Sequence, residues 1–367
     1  MRAVTATFFR PDCLHFRGDV PCKPHKSHGY HCDSCPAYVR TGKRILIIKL
    51  GAMGDVIRTT PLVSRYSELY PDARFTWVTL YPDILPKDRI HEVLPLGVET
   101  VLYVSNSDWD IAINLDKEKA ACALLKMVSA REKYGYILRD GVAQPVNDLA
   151  HHKFRTGLFD DDSRRNTQSY CSEIFGICGL EYRGESYLLD RQAWQGYDWD
   201  IPRDKPVIGL NTGCGDRWPT RLWSVERWVE LVQRCASAGL HPLLLGGASE
   251  HERNLAIQAR SGASYPGHYP LAQFISLLDQ CDLLVTQVTM SLHLGLGLGK
   301  KIVLMNNIFN PHEFDLFGRG TIVMPPRSCD CYYRGQCIHG TSCMESLGAE
   351  TVFDCVMVLL TTVQPTD

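Results

Sequence analysis

The sequence predicts an α/β protein made of two successive Rossmann-like halves. Apolar, β-branched runs alternate with stretches of helical spacing, which is typical of βαβ units and a parallel sheet. This alternation pauses near the middle of the chain and then restarts. The 367 residues also suit two domains of roughly 100–200 residues each. We predict domains at 43–200 and 201–367, preceded by a Cys- and His-rich extension at 1–42.

The first half is predicted to begin with a strand at 44–50, because RILIIKL is rich in β-branched and other apolar residues. Such runs are typical of strands that are buried on both faces of a sheet. Helical spacing follows from Asp55 to about Tyr70, with Pro61 in the first turns, where a helix tolerates proline. Further strands are predicted at 75–80, 100–104 and 111–115, and further helices at 117–130 and 168–178.

The second half restarts the alternation after 191–205, a Trp- and Asp-containing stretch that we interpret as the interdomain connection. Its strands and helices again follow one another in turn, as βαβ units require. The predicted strands are 207–210, 241–245, 282–286 and 301–305, and the predicted helices are 225–238, 250–260, 271–280 and 291–298.

Composition excludes several classes of protein. The hydrophobic share of 45% and the charged share of 22% are those of a soluble globular protein. Lys and Arg number 39 against 41 Asp and Glu, without the basic excess of a nucleic-acid-binding domain. No stretch approaches the roughly 20 apolar residues that span a bilayer, and the amino terminus lacks the apolar core of a secretory signal. We expect a cytoplasmic protein with no nucleic-acid partner and no transmembrane segment.

Ligands of open parallel sheets bind beyond the carboxyl ends of the strands. The first strand ends in KLGAMGD, whose glycines permit a tight turn before a helix that offers free N–H groups. A carboxylate at Asp55 would stand over a cleft and take a proton from an incoming hydroxyl. The alternative is that Asp55 only caps its helix. The turn lacks the GxGxxG pattern, which disfavours dinucleotide binding.

Two strand ends of the second half also bring polar groups together. Residues 211–223 contain Arg217 and Arg221, and guanidinium groups bind phosphate through paired hydrogen bonds. Ordinary surface charge is the alternative. Residues 286–293 would offer hydroxyl and backbone N–H groups to a diphosphate at a helix start, although by its spacing alone His293 fits a core residue better.

Four motifs in order resemble those of the ADP-heptose-dependent heptosyltransferases, glycosyltransferase family 9. They are ILIIKLGAMGDVIRTTPL, WPTRLWSVERWVEL, LLLGGASEHERN and CDLLVTQVTMSLHLGLGLGKKIVLMNN. The resemblance runs from about Lys43 to the carboxyl end. It implies the GT-B fold, in which two Rossmann-like domains face each other across a cleft that holds the active site, in agreement with the two predicted halves.

The resemblance implies an inverting transfer of a heptose, or a related sugar, from an ADP-sugar donor to an acceptor hydroxyl. Asp55 in the Gly-Asp-Val motif matches the family's proposed general base. Arg221 stands where the family usually has a lysine that holds the donor phosphates, so both residues are candidate catalytic residues. The residues implied to bind the nucleotide sugar are Gly51, Gly54, Thr212, Gly213, Arg221, Glu250, Thr289, Met290 and His293.

One position departs from the family pattern. The family has Asp directly before the residue that corresponds to Thr289, whereas this chain has Val288. An isopropyl group accepts no hydrogen bond from a sugar hydroxyl. Either another acceptor, such as Gln287, replaces the Asp, or the donor sugar differs.

Fifteen cysteines are unusually many for a chain with no evident export signal. Four lie close together near the carboxyl end, and four thiolates favour a tetrahedral zinc or iron ion. Unligated thiols or a disulfide are the alternatives. This segment, 329–343, resembles the metal-bearing finger of bacterial autotransporter heptosyltransferases, in which four cysteines hold iron. The predicted ligands are Cys329, Cys331, Cys337 and Cys343.

The extension contains a second candidate metal site, with zinc as the first choice. It includes a CxxC pair, which is typical of zinc knuckles, and the alternative is a redox or unligated pair. Both metal sites would be structural, because four protein ligands leave no open position on the ion. The predicted ligands are Cys13, Cys22, Cys32 and Cys35, and the scattered cysteines such as Cys122, Cys235 and Cys281 are predicted to be buried hydrophobes.

Three other functions stay open from the sequence. A nucleotide-sugar epimerase has the same fold and needs no acceptor. A catalytically silent metal-binding scaffold would explain Val288, and an iron–sulfur redox protein would explain the cysteines. For the transferase, the expected partners are a nucleotide sugar and an acceptor glycan, protein or small molecule, with homo-oligomerisation left open.

Overall fold

The fold contains two separate β-sheets, one in each half of the chain. A computed structural model describes residues 8–190, 194–215, 217–334 and 336–362. The first sheet has six strands in the order β3-β2-β1-β4-β5-β6, parallel except for the last pair. Its strands are β1 (Arg44–Ile48), β2 (Arg74–Thr79), β3 (Glu92–Pro95), β4 (Asp108–Asn114), β5 (Ser129–Arg139) and β6 (Val142–Pro145).

The second sheet has five parallel strands in the order β11-β10-β9-β7-β8. The prediction of two parallel-sheet halves is therefore confirmed. The strands are β7 (Val207–Asn211), β8 (His241–Leu245), β9 (Leu283–Gln287), β10 (Lys301–Met305) and β11 (Gly320–Val323).

Helices cover the faces of both sheets, and short 3₁₀ turns occur in the loops between them. In the described part of the chain, no helix is both long and apolar enough to cross a bilayer. The helices are α1 (Lys23–His28), α2 (Met53–Thr59), α3 (Pro61–Leu69), α4 (Val98–Ser105), α5 (Lys119–Met127), α6 (His151–Thr156), α7 (Asp160–Arg165), α8 (Tyr170–Ile177), α9 (Val225–Ser237), α10 (His251–Ser261), α11 (Leu271–Asp279), α12 (Met290–Gly297) and α13 (Ala349–Thr361).

The first strand is buried on both faces, as its apolar run predicts. Ile45 and Ile47 pack on the face that carries α2 and α3, whereas Leu46 and Ile48 pack on the opposite face with α5. The large cluster on the first of these faces continues into the second half, because it also contains residues of α11 and α12. The two halves therefore share one apolar core, and this core fixes the cleft between them.

One predicted element of the first half is wrong, and another is longer than the helix that forms. Residues 100–104 form part of α4. The positions that face inward are Thr100 and Val104, whose spacing of four residues is that of one helix face. The apolar residues between them are exposed or half-buried, so the run TVLYV imitates a strand. The helix predicted at 117–130 ends at Met127. The polar sequence that follows it forms β5, which the sequence did not reveal because its amino-terminal part is mostly exposed.

The predicted helix from Asp55 to Tyr70 is two helices. The first, α2, begins earlier at Met53 and ends at Thr59, and α3 then starts at Pro61. Proline has no N–H to continue the hydrogen-bond ladder, and it is accepted at the first position of a new helix. The break separates α2, the short helix that carries Asp55, from α3.

The predicted interdomain connection at 191–205 is partly outside the described residues, since 191–193 are not described. From 194 to 205 the chain contains no helix or strand. Trp199 anchors this stretch by donating its indole N–H to Ser276 Oγ at 3.0 Å.

Candidate functional site

The cleft lies where the carboxyl ends of both sheets meet, and α12 packs against α2 across it. Two connected cavities fill the cleft. The junction pocket, of about 530 Å³, has Asp55 on its wall. The second-half pocket, of about 520 Å³, is built from the loops after β7, β8 and β9. Residues lining both cavities are Met53, Arg221, Val288, Thr289 and Met290.

A larger cavity of about 800 Å³ lies elsewhere, between the extension and the amino ends of β1 and β2, where Arg44 and Arg74 line it. Parallel sheets bind their ligands at the carboxyl ends of the strands. The junction pocket and the second-half pocket are therefore the candidate active site despite their smaller size.

Asp55 occupies the first turn of α2, and its side chain makes no capping hydrogen bond, because Ala52 is the N-cap residue. Its side chain is 39% exposed, with Oδ2 4.0 Å from Lys49 Nζ and Oδ1 3.6 Å from an Arg58 nitrogen. Burial by itself would raise the pKa of Asp55, but the positive charges of Lys49 and Arg58 lower it below its ordinary value. The carboxylate is thus ionised, open to the cleft and held between two cations.

Lys49 stabilises the turn that leads into α2. Its side chain is buried, and its ammonium pairs with Asp116 and donates to the Gly51 carbonyl oxygen at 2.6 Å. Burial alone would lower the pKa of Lys49, whereas Tyr170, Asp55 and Asp116 raise it above the ordinary value. Lys49 therefore stays charged and fixes the Gly51 carbonyl beside the turn that carries Asp55.

Arg58 connects the two halves of the protein. Its guanidinium lies 3.2 Å from the Glu313 carboxylate, in the 3₁₀ turn Pro311–Glu313, and donates to the Glu313 carbonyl oxygen at 2.8 Å. It also stacks 3.8 Å from the centroid of Tyr170. Burial alone would lower the pKa of Arg58, but Glu313 and Asp55 are among the groups that raise it. Arg58 is a permanent cation between two carboxylates of the junction pocket.

Arg221 lies at the boundary between the two pockets. Its guanidinium donates to the backbone carbonyl oxygens of Cys214, Trp218 and Val288. Among the described residues no carboxylate pairs with it, and burial lowers the pKa of this guanidinium from its ordinary value. A buried cation without a carboxylate partner favours an anionic ligand.

Glu250 occupies space that two glycines leave. A Cβ on Gly213 would lie 2.3 Å from Glu250 Oε1, and one on Gly246 would lie 2.6 Å from Glu250 Cβ. The carboxylate accepts hydrogen bonds from the Gly247 N–H at 2.9 Å and from Ser249 Oγ at 3.1 Å. Glu250 is thereby held on the wall of the second-half pocket.

The start of α12 faces both pockets. Thr289 is the N-cap residue, and its hydroxyl accepts the Ser291 N–H at 3.2 Å and the Asn211 amide at 3.3 Å. Met290, the first residue of the helix, lines both cavities. A helix amino terminus with free N–H groups and a positive dipole end is suited to an anion.

His293 is 5% exposed and reaches the wall of the junction pocket. Burial, reinforced by the charge of Arg58, lowers the pKa of His293 to about 3. The imidazole is therefore neutral at physiological pH. Its Nδ1 is buried without a hydrogen-bond partner among the described residues.

The structure brings most of the predicted site residues to the cleft, but not all of them. Thr212 is fully buried and its hydroxyl donates to Asn254 Oδ1 at 2.5 Å, so its side chain stabilises the loop after β7. Gly51 contributes its carbonyl oxygen to Lys49 and is not on the wall of either pocket. The predicted residues that line the cleft are Gly54, Asp55, Gly213, Arg221, Glu250, Thr289, Met290 and His293.

Gln287 does not replace the missing family Asp in this structure. Its side chain is fully buried, and neither its amide oxygen nor its nitrogen has a hydrogen-bond partner in the described part of the chain. Glu313 is a carboxylate that does line the junction pocket. It comes from a turn beyond β10, which lies outside the motifs of the cleft, and only the folded chain brings it near Val288.

The carboxyl-terminal cysteines stand in two close pairs. The Sγ atoms of Cys331 and Cys337 lie 3.6 Å apart, and Cys329 interacts with Cys343 through its thiol. Burial, together with the neighbouring Cys343 and Cys331 thiols, raises the pKa of Cys329 to about 12. All four are free cysteines.

The predicted metal-binding segments are not confirmed. Among the residues that the structure describes, no three His, Cys, Asp or Glu side chains stand together as a group ready to hold a metal ion. The amino-terminal cysteines are half-buried and unpaired by disulfides. The scattered cysteines at 122, 235 and 281 are buried, as predicted.

The chain is similar in sequence to known glycosyltransferases. The model of glycosyltransferase family 9 (heptosyltransferase) matches residues 103–320. Lipopolysaccharide heptosyltransferase 1 of Pseudomonas aeruginosa is 22% identical over 302 residues, which cover 76% of this chain and 82% of that protein.

Solved structures share the two-sheet architecture. The ADP-heptose lipopolysaccharide heptosyltransferase II of E. coli superposes with a TM-score of 0.63 at 15% identity, covering 86% of this chain and 98% of that one. The iron-containing dodecameric glycosyltransferase TibC of enterotoxigenic E. coli superposes with a TM-score of 0.53 at 14% identity, covering 88% of this chain and 80% of that one. The fold predicted from the sequence is the fold of these proteins.

Proposed function

The chain belongs to glycosyltransferase family 9, and on this basis we propose that it is an inverting glycosyltransferase that moves a heptose, or a related sugar, from an ADP-sugar donor to an acceptor hydroxyl. The observation that supports this most is the junction pocket. One cavity brings an ionised carboxylate from the first half, Asp55, opposite the buried cation Arg221 and the α12 amino terminus of the second half. An acid and an anion site facing each other across about 530 Å³ suit displacement of a diphosphate by an alcohol.

The proposed donor position extends through both pockets. The adenosine part would occupy the second-half pocket beside Glu250, whose carboxylate suits the hydroxyls of a ribose. The diphosphate would lie at the boundary, against Arg221 and the N–H groups at the start of α12. The sugar would then lie in the junction pocket, where Glu313 offers the hydrogen-bond acceptor that Val288 lacks.

In the proposed reaction the acceptor oxygen attacks the anomeric carbon from the side of Asp55. A new C–O bond forms to that oxygen, and the bond from the anomeric carbon to the diphosphate oxygen breaks, with its electron pair leaving on ADP. The hydroxyl proton passes to the Asp55 carboxylate. Because Lys49 and Arg58 keep this carboxylate ionised, it is ready to accept the proton as positive charge develops on the sugar.

The acceptor would enter from a side pocket of about 400 Å³ that shares Arg217, Trp218, Glu313 and Tyr333 with the junction pocket. Lys117 lies on its wall, and a Cβ on Gly157 would lie 1.7 Å from Lys117 Nζ. Of the carboxylates on the same wall, Glu173 pairs with Lys153 at 2.5 Å and Glu313 pairs with Arg58 at 3.2 Å. Burial and the charge of Lys153 lower the pKa of Lys117 to about 8. An unpaired cation at this place favours an acceptor with an acidic group.

The test of the proposal is ADP release from ADP-heptose by the purified protein, measured with and without candidate acceptors. We expect release that depends on the acceptor and that falls roughly 10²–10⁴-fold in Asp55→Asn, since general-base catalysis contributes about that much. ADP affinity should stay within about twofold. The exposed Asp88→Asn is the matched control. Release of ADP without any acceptor, or turnover unchanged in Asp55→Asn, would contradict the assignment.

We also propose that Cys329, Cys331, Cys337 and Cys343 hold one structural metal ion. The printed description of TibC as iron-containing supports this site, and so does the 3.6 Å separation of the Cys331 and Cys337 sulfurs. Thiolates at about 2.3 Å from a tetrahedral ion lie about 3.8 Å apart. The N–H groups of Cys331 and Ile338 donate to the Cys329 and Cys331 sulfurs, at 3.3 and 3.2 Å, which suits thiolates.

Elemental analysis of the purified protein tests this metal site and separates zinc from iron. We expect Cys329→Ser to lower the bound metal and the melting temperature together, because a structural ion stabilises the fold that binds it. Cys355→Ser, on α13, is the control. An unchanged metal content in Cys329→Ser would refute the site.

A further inference from the structure

The amino-terminal extension has almost no apolar core. Within residues 8–42, Pro24 is the buried residue, while Phe8 and Phe9 are 79% and 51% exposed. Apolar burial therefore offsets little of the conformational entropy that ordering this segment costs. Segments of this size with so little core usually depend on disulfides or a bound metal.

The extension is nevertheless folded around one point. Cys13 pairs with Arg40 in an antiparallel bridge, which brings the two ends of the extension together. Cys22 precedes α1 as its N-cap residue. Cys32 and Cys35 belong to a turn in which the Ser34 N–H donates to the His31 carbonyl oxygen at 3.2 Å. Three local elements thus place the four cysteines.

The point on which they converge is a cavity of about 20 Å³, lined by Cys13, Cys22, Cys32 and Cys35 together with Arg10. A cavity of this volume holds about one water-sized occupant. No disulfide links the four thiols. His15 also lines the cavity, whereas His25 has its Nδ1 engaged 3.0 Å from the Tyr30 carbonyl oxygen.

We propose that these four cysteines bind one structural Zn²⁺ ion and that the ion, not an apolar core, holds the extension in its fold. Four thiolates are the donor set of closed, tetrahedral zinc sites. The side chain of Arg10 on the cavity wall offsets part of the negative charge of a zinc tetrathiolate. Since the described thiols do not already form a ready metal group, binding draws them together and couples to folding of the extension.

This zinc module is separate from the transferase site. It docks on the amino-end edge of the first sheet, where Arg74 donates to the Leu14 carbonyl oxygen at 3.3 Å and the Gly42 N–H donates to Asp72 at 3.0 Å. The cleft with Asp55 lies at the opposite, carboxyl ends of the strands. Loss of the ion therefore unfolds residues 8–42 without removing a group that contacts the donor.

Cobalt titration of the full chain tests the proposal. The Cys337→Ser protein, which lacks a ligand of the carboxyl-terminal site, is freed of metal and titrated with Co²⁺. We expect thiolate-to-cobalt charge-transfer absorption that saturates at about one ion per chain, as a closed four-ligand site requires. Adding Cys35→Ser should abolish that absorption, whereas adding Cys355→Ser should leave it unchanged. Equal cobalt absorption with and without Cys35 would overturn the proposal.

Thiol alkylation of the unmutated protein, mapped by mass spectrometry, provides a second test that no substitution can disturb. We expect Zn²⁺ to protect Cys13, Cys22, Cys32 and Cys35 from alkylation by at least about tenfold, while amide hydrogen exchange within 8–42 slows. Rates of alkylation and of amide hydrogen exchange that do not change when Zn²⁺ is added would refute the site. Acceptor-dependent ADP release, measured in parallel, reports on the transferase independently of this outcome.

Discussion

Gly54 of α2 and His293 of α12 meet across the two halves of the protein: a Cβ on Gly54 would lie 2.6 Å from His293 Cδ2. The glycine is therefore required by the close approach of α2 and α12, which brings Asp55 and the α12 amino terminus to one cavity. The neutral imidazole fills the space that the missing side chain leaves.

Gly54→Ala should push α12 away from α2. We expect a loss of about 1–3 kcal/mol in the free energy of unfolding, which is the usual range for overpacking. We also expect a lower kcat/KM for the donor, because the two sides of the junction pocket separate. Gly176→Ala is the matched control, since a Cβ there meets no atom within 4 Å. Equal stability and turnover in both variants would show that the contact has no effect.

Arg221→Ala should weaken binding of ADP by about 10- to 100-fold, the equivalent of a charged hydrogen bond. Calorimetric titration with ADP and with adenosine separates two roles of this residue. Loss of a phosphate contact lowers ADP affinity alone, whereas collapse of the carbonyls that Arg221 holds would lower both affinities. The exposed Arg183→Ala serves as control. Unchanged ADP affinity would remove the proposed phosphate contact.

Lys117→Met should raise the KM for an acidic acceptor by about tenfold, because a charged hydrogen bond in the side pocket is lost. The kcat should change little, since Lys117 does not contact the anomeric carbon in the proposed reaction. Lys119→Met removes an equal charge from the exposed start of α5 and should not alter KM. A series of acceptors that differ only in their acidic group checks this assignment. If Lys117→Met changed the KM for every acceptor by the same factor, the assignment would be incorrect.

His293→Gln should flatten the dependence of stability on pH. The folded pKa of about 3 lies below the unfolded value of about 6.5, so only the unfolded state binds a proton between them. Stability conferred by the neutral ring is present above about pH 6.5 and is lost as the pH falls toward 3. Urea unfolding at several pH values should show a wild-type slope steeper by about 1.4 kcal/mol per pH unit within that window. Parallel profiles for the two proteins would contradict a buried, neutral imidazole.

The sequence predicts the fold well where burial is uniform along an element. Strands such as β1 and β9 are apolar on both faces, so their runs are plain in the sequence. The strand β5 is not plain in the sequence, because its amino-terminal end is exposed and polar. The helix α4 is misleading because its exposed face is also apolar, with Val98 77% exposed.

The residues of the candidate site also differ in how far the sequence alone reveals them. Asp55 and Arg221 lie in local motifs next to strand ends, so pattern and resemblance both point to them. Arg58 and Glu313 are 255 positions apart, and no local spacing reveals their pairing. Lys49 and Asp116 meet only because β1 and β4 are neighbours in the sheet. Side chains that act through such distant partners become visible only in the folded chain.

Arg58 lies between Asp55 at 3.6 Å and Glu313 at 3.2 Å, so one guanidinium serves two carboxylates. The negative charge of Glu313 offsets part of the positive charge that Arg58 presents to Asp55, and Asp55 is therefore more basic than it would be beside an undivided guanidinium. Asp55 belongs to the first half of the chain and Glu313 to the second. The proton affinity of a carboxylate on one side of the cleft is thus set in part by a residue from the other side.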